Sequence, residues 1–187
     1  MSAILRLLQR DHTNISRLLR VLEGQLAALE ASDPVDYDVI VDILDYCRSF
    51  PDRYHHPLED RVLEALQSRD SDAAARVGDL VAQHATLAAE TKTALTLFLD
   101  ARGGTEISRD DLIRAGRDFL AHYHQHIEAE DGFFFPAAEQ ALRETDWQDI
   151  ENSWVGPVDP VFGDREEEHY RRLRREVLTQ HSSANTA

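Results

Sequence analysis

The 187-residue chain has a single cysteine, Cys47, so it can close no internal disulfide, and the expectation is a reducing, cytoplasmic setting. It has no apolar run near the roughly 18 residues a membrane span needs. Its first residues, MSAILRLLQRDH, are amphipathic and interrupted by charge, which does not fit a signal peptide. Basic residues are scarce: 20 Lys and Arg stand against 35 Asp and Glu, a net charge of −15. Phosphate backbones and anionic lipid would be repelled, so neither nucleic acid nor a membrane is expected as partner, whereas cations would be drawn in. Strand signals are also missing, with no sustained alternation and no Asn-Gly or Asp-Gly hairpin turn.

Helical periodicity fills the space these absences leave. Ile4, Leu5, Leu8, His12, Ile15, Leu19, Leu22, Leu26 and Leu29 recur at steps of three and four and form one apolar stripe, closed by Ser32-Asp33-Pro34. A second helix is expected from about Asp36 to Ser68, loosened near His55 by Pro51 and Pro57. A third is expected from about Asp72 to Ala101, ended by Gly103-Gly104. Ser108 and Asp111 make an acidic capping box for a fourth, running to about Glu144 with a disturbance at Pro136. Short connections favour antiparallel neighbours, so the expected fold is an all-α, up-down-up-down four-helix bundle over residues 1–145. Residues 146–187 read as a C-terminal extension. A charged helix is expected from Asp164 to Leu178 and a disordered tail from Ser182, with Val158, Val161, Phe162, Leu173 and Leu178 able to pack across the bundle.

One short motif occurs twice. His55-His56-Pro57-Leu58-Glu59 lies in the second helix and His126-Ile127-Glu128-Ala129-Glu130 in the fourth; both are His-x-x-x-Glu. A spacing of four puts imidazole and carboxylate on one helical face, one turn apart, able to reach a single ion. His12 and His84 stand on the inward stripes of the first and third helices. In an antiparallel bundle, starts of odd helices and ends of even helices share one end, so His12, His55, Glu59, His84, His126 and Glu130 meet there. Two buried carboxylates beside four buried imidazoles need cations, because an unpaired buried charge costs several kcal/mol or more. Zinc prefers one tetrahedral site, often with thiolate, so six nitrogen and oxygen ligands suit paired iron or manganese better.

This order of residues resembles the haemerythrin HHE cation-binding family over about residues 1–145: a lone His, His-x-x-x-Glu, a lone His, His-x-x-x-Glu. The resemblance implies two non-haem irons bridged by Glu59, Glu130 and an oxo or hydroxo group, with manganese or zinc as substitutes. It further implies His12 and His55 on one iron, His84 and His126 on the other. The chain departs from oxygen-carrying haemerythrins at Ala88, where they place a second histidine on the third helix. It also carries Asp131 at their His-x4-Asp spacing, which contests Glu130 as the bridge. His122, one turn before His126, is open to three readings: the missing fifth imidazole, a support behind the ligands, or a merely half-buried residue. His56 shares a four-residue step with Asp60 and competes with His55 as a ligand, but its pairing lacks a counterpart in the fourth helix, which puts it at the rim or behind the ligands. Asp60 and Asp131 are candidates to orient imidazoles from outside. His124 should be exposed and His169 solvated. The functions in view are binding or reaction with a small oxidant (oxygen, peroxide or nitric oxide), an oxidative- or nitrosative-stress enzyme decomposing peroxide or repairing iron–sulfur centres, and a bundle merely stabilised by its metal.

Overall fold

The computed structural model describes residues 1–156, 159–163 and 170–184, from residue 178 onward as backbone only. Among these residues the structure is all-helical, without a strand. Helix α1 (Ala3–Ala31) starts where the Ser2 hydroxyl accepts from the Leu5 N–H, and it stops at Ser32, which takes a left-handed conformation with φ of 65°. Helix α2 (Tyr37–Phe50) is capped by the Asp36 carboxylate. It leads into a π-helical turn (Pro51–His55) and then α3 (His56–Arg69). The loosening expected near His55 is therefore a specific device, a widened turn inside a continuous helical arm.

The third arm is broken where the sequence suggested continuity. Helix α4 (Ser71–Val77) ends at Gly78, whose φ of +86° an L side chain rarely adopts, and Asp79 caps a new helix, α5 (Leu80–Arg102). The fourth arm is α6 (Arg109–Ala129), a second π turn (Glu130–Phe134) and α7 (Phe135–Ala141). It ends three residues before Glu144, because Leu142 is extended and Glu144 begins a separate helix, α8 (Glu144–Ser153).

The four arms form a ring: α1 lies beside α2 and α6, and α5 lies beside the same two. At the α1–α6 crossing the Leu26 side chain packs onto the bare backbone of Gly116, where a Cβ would sit 2.7 Å from both Leu26 methyls. Helix α8 packs Trp147 and Ile150 against α1 and α3. The last helix, α9 (Arg171–Ala184), lies against α1 and α2 and buries Leu173 and Val177, while Val161 is buried just before it and Phe162 half-buried. Asp159 anchors this segment by accepting from the buried Tyr46 hydroxyl at 3.0 Å and from the Val161 and Phe162 amides. Val158, the Leu178 side chain, His169 and the tail residues 185–187 lie outside the described residues, as does the 164–169 stretch expected to open the last helix. That helix enters the segment read as tail, reaching Ala184.

The apolar core is split in two, and the split positions the site. One cluster holds Ile15, Leu19, Cys47, Phe50, Leu87, Tyr123 and Ile127; the other holds Leu5, Leu8, Leu58, Val62, Leu80, Phe134 and Phe135. On α1 and α5 the polar residue falls between the two: His12 after Leu8 and before Ile15, His84 after Leu80 and before Leu87; on the other two arms His55, Glu59, His126 and Glu130 lie where the clusters meet. A buried polar layer thus crosses the bundle, sealed by hydrocarbon above and below. No helix of the described residues is long and apolar enough to cross a membrane.

Candidate metal centre

Into this layer α1 projects His12, the second arm His55, His56 and Glu59, α5 His84, and the fourth arm His126 and Glu130, all buried. Glu59 and Glu130 are both fully buried, with 0% exposure. The two Glu59 oxygens face opposite ways. Oε1 lies 3.1 Å from His55 Nε2 and 3.5 Å from His12 Nε2, while Oε2 lies 3.4 Å from His84 Nε2. Glu130 spans the same gap, with Oε2 at 3.2 Å from both His12 Nε2 and His126 Nε2, and Oε1 at 3.5 Å from His84 Nε2.

Two groups follow in which every ligand-capable atom lies within 4.8 Å of the others: His12, His55, Glu59 and Glu130, and His56, Glu59, His84 and His126. The first group contains one of the two imidazole pairs the resemblance implies, and the second contains the other together with His56. His56 is 4% exposed rather than at the rim. Its ring stacks on His84 with centroids 4.2 Å apart and meets His126 edge-on at 5.6 Å. The physical reason is the π turn immediately before it, which widens the helix and lets His55 and His56 both face inward.

The outer nitrogens are held too. His12 Nδ1 lies 3.0 Å from Asp131 and His84 Nδ1 3.2 Å from Asp60, the two carboxylates expected to orient imidazoles. His55 Nδ1 lies 3.5 Å from Asp11, His56 Nδ1 3.3 Å from Asp52, and His126 Nδ1 3.3 Å from the Gln83 carbonyl oxygen. Asp11, Asp52 and Gln83 were not anticipated. Asp52 carried a signal, standing four residues before His56, whereas the neutral Gln83 carried none. Asp131, with its side chain 43% exposed, sits outside the layer, and Glu130 occupies the inner position. His122 is exposed and pairs with Glu90 at 2.8 Å, outside both groups, and His124 is exposed.

With Nδ1 of His12, His84 and His126 hydrogen-bonded and Nδ1 of His55 and His56 facing a carboxylate, each imidazole presents Nε2 to the centre. Nε2 of His12, His56, His84 and His126 and all four oxygens of Glu59 and Glu130 are buried without a hydrogen-bond partner. Leaving one such atom unsatisfied costs about 1–3 kcal/mol. Eight of them converging at one level describe a cation site.

Protons partly answer the same demand. Burial disfavours the charged imidazole of His55, but the Glu59 and Asp11 carboxylates outweigh it and lift its pKa to about 9. His84 is pushed down by burial and up more strongly by Glu130 and Glu59, to about 10. His12 is raised well above its usual value, burial being overcome by Asp131, Glu130 and Glu59. His126, where burial prevails over the carboxylates, falls to about 4, and burial lowers His56. Glu59 is held well below the carboxylate range, burial being outweighed by His55, His12 and His84. Cys47 belongs to neither group, and burial pushes its thiol up, keeping it protonated.

Searches among curated proteins and among solved structures return no match. The family model described as Hemerythrin HHE cation binding domain matches residues 3–138, and these contain every residue of both groups. The chain belongs to the hemerythrin HHE cation-binding family.

Proposed function

We propose that the polar layer holds two iron ions and that the protein binds or reacts with a small oxidant: oxygen, peroxide or nitric oxide. The eight unpartnered buried atoms of six residues carry this reading. His12, His55, Glu59 and Glu130 would hold one ion, and His56, His84, His126 and Glu59 the other. Glu59, with one oxygen turned to each group, is the natural bridge, and Glu130 is the second carboxylate within reach of both.

Bound as a pair, such ions supply one-electron redox steps and coordination positions for a small ligand. The chain supplies the rest. Asp131 and Asp60 hold the outer nitrogens of His12 and His84, and Asp11 and Asp52 face those of His55 and His56, so that the inner lone pairs point at the centre. The hydrocarbon of Leu8, Leu58 and Phe135 on one side, and of Ile15 and Phe50 on the other, excludes bulk water.

The test is anaerobic loading with ferrous iron, a count of metal per chain, and then visible spectra on adding oxygen, peroxide or nitric oxide. Two irons per chain and a spectral response to one of these molecules support the reading. A reversible oxygen adduct would mark a carrier or sensor, and turnover of peroxide an enzyme. One zinc and no iron, or two irons blind to all three molecules, would refute it.

A further inference from the structure

We propose that the groove between α5 and α6 is the port through which divalent metal ions reach the centre, with Gln83 as its inner gate. The proposal rests on reading the polar layer as a metal site. The groove is a cavity of about 430 Å³ whose walls are one face of each helix: Asp79, Ala82, Gln83 and Thr86 on α5 and its cap, and His122, Gln125, His126 and Ala129 on α6. Steps of three and four on both sides make it a continuous seam. Short side chains at Ala82, Thr86 and Ala129 keep it open.

Three observations single it out. First, it reaches the centre, because His126 forms part of its wall. The cavities beside Arg61 and Asp149, beside Asp42 and Lys92, and beside Pro34 and Tyr37 touch none of the clustered residues. Second, its charge suits a cation. Asp79 and the Gln83 and Gln125 amides offer oxygens, and no lysine or arginine lines it, whereas Arg61 and Arg69, Arg48 and Lys92, or Arg102 line those three. Third, its inner wall is lightly held. His126 rests its outer nitrogen on a neutral amide, the carbonyl oxygen of half-buried Gln83 at 3.3 Å, whereas His12 and His84 bond the Asp131 and Asp60 carboxylates at 3.0 and 3.2 Å. Hydrogen bonds to a charged partner are roughly twice as strong as neutral ones, so His126 is held less firmly than either, and it stands at the port.

The probe is cobalt(II), added to the metal-free full-length chain while its visible absorbance is followed in a stopped-flow instrument. Thr86→Trp, which fills the groove from its exposed rim, should slow uptake at least about tenfold and leave the final cobalt count unchanged. Gln83→Ala should speed it. Thr96→Trp, in the separate cavity between α2 and α5, should load at the parent rate. Parent-like rates in both Thr86→Trp and Gln83→Ala overturn the port while leaving the metal site standing. If Thr86→Trp does not fold, an unchanged rate in Gln83→Ala is enough to overturn it. No cobalt uptake by the parent protein would sink the metal reading itself.

Discussion

Filling the centre should expel protons, and unequally from its two halves. In the metal-free protein His55, with a pKa of about 9, and His84, at about 10, are protonated at pH 7. His12, raised well above its ordinary value, joins them, while His126 at about 4 and the lowered His56 are neutral. An imidazole must lose its proton to ligate. At 1.36 kcal/mol per unit, stripping His55 and His84 at pH 7 costs about 3 and about 4 kcal/mol. The half built on His12 and His55 displaces two protons, so its affinity should rise about 100-fold per pH unit. The half built on His84 displaces one and should gain about tenfold. The part of the gain due to His55 should level off once pH passes about 9, and that due to His84 once it passes about 10.

Stability of the metal-free form runs the other way. Histidines whose pKa is raised on folding stabilise fully below their unfolded value near 6.5, and that contribution is lost as pH climbs through the folded values. Metal-free protein should therefore soften between about pH 7 and 10, while loaded protein does not. A pH-stat titration at pH 7 should record about three protons released per fully loaded chain. Metal analysis after dialysis at falling pH should show the His12–His55 half emptying first. Release of less than one proton, or parallel loss from both halves, would refute the reasoning.

The remaining predictions are simpler. His56→Ala should halve the metal content, whereas His122→Ala should retain all of it; equal content in the two variants would remove His56 from the ligand set. Gly116→Ala should lower the denaturant midpoint by an amount equivalent to about 1–3 kcal/mol, because its Cβ meets the Leu26 methyls at 2.7 Å, with no change in metal count. A neutral effect would mean that the α1–α6 crossing relaxes freely.

Much of this molecule could be read from spacing alone. The apolar stripe of α1 with His12 set into it, and the paired His-x-x-x-Glu motifs, are one-dimensional traces of a layered core, and in the fold they fall between two hydrocarbon clusters. What escaped the sequence has two causes. Local backbone choices such as the left-handed Gly78, which separates α4 from α5, are written in a single residue that periodicity averages over. Long-range partners such as Gln83 and Asp11 are set by which helices become neighbours, and a neutral glutamine beside a histidine carries no mark in one dimension.

His56 was misplaced for a third reason, which the prolines explain. On a regular α-helix successive residues point about 100° apart, so only one of His55 and His56 could aim straight at the centre. Pro57 and Pro136 lack the N–H that would reach the carbonyl four residues back, at Arg53 and Gly132. In each case the turn just before the proline widens: His56 N–H bonds to Pro51 and Phe135 N–H to Glu130, five residues back. The prolines thus favour the two π turns that bring His55, His56 and Glu130 to one depth. Pro57→Ala restores a donor for Arg53 and favours the tighter ladder. The metal-free protein should then gain stability, on the order of 1 kcal/mol, while metal affinity falls as His56 turns outward. Differential scanning calorimetry of metal-free protein together with a cobalt titration measures both. The opposition of the two changes is the point: a variant that kept or improved its affinity while gaining stability would show that the widened turn has no part in assembling the centre.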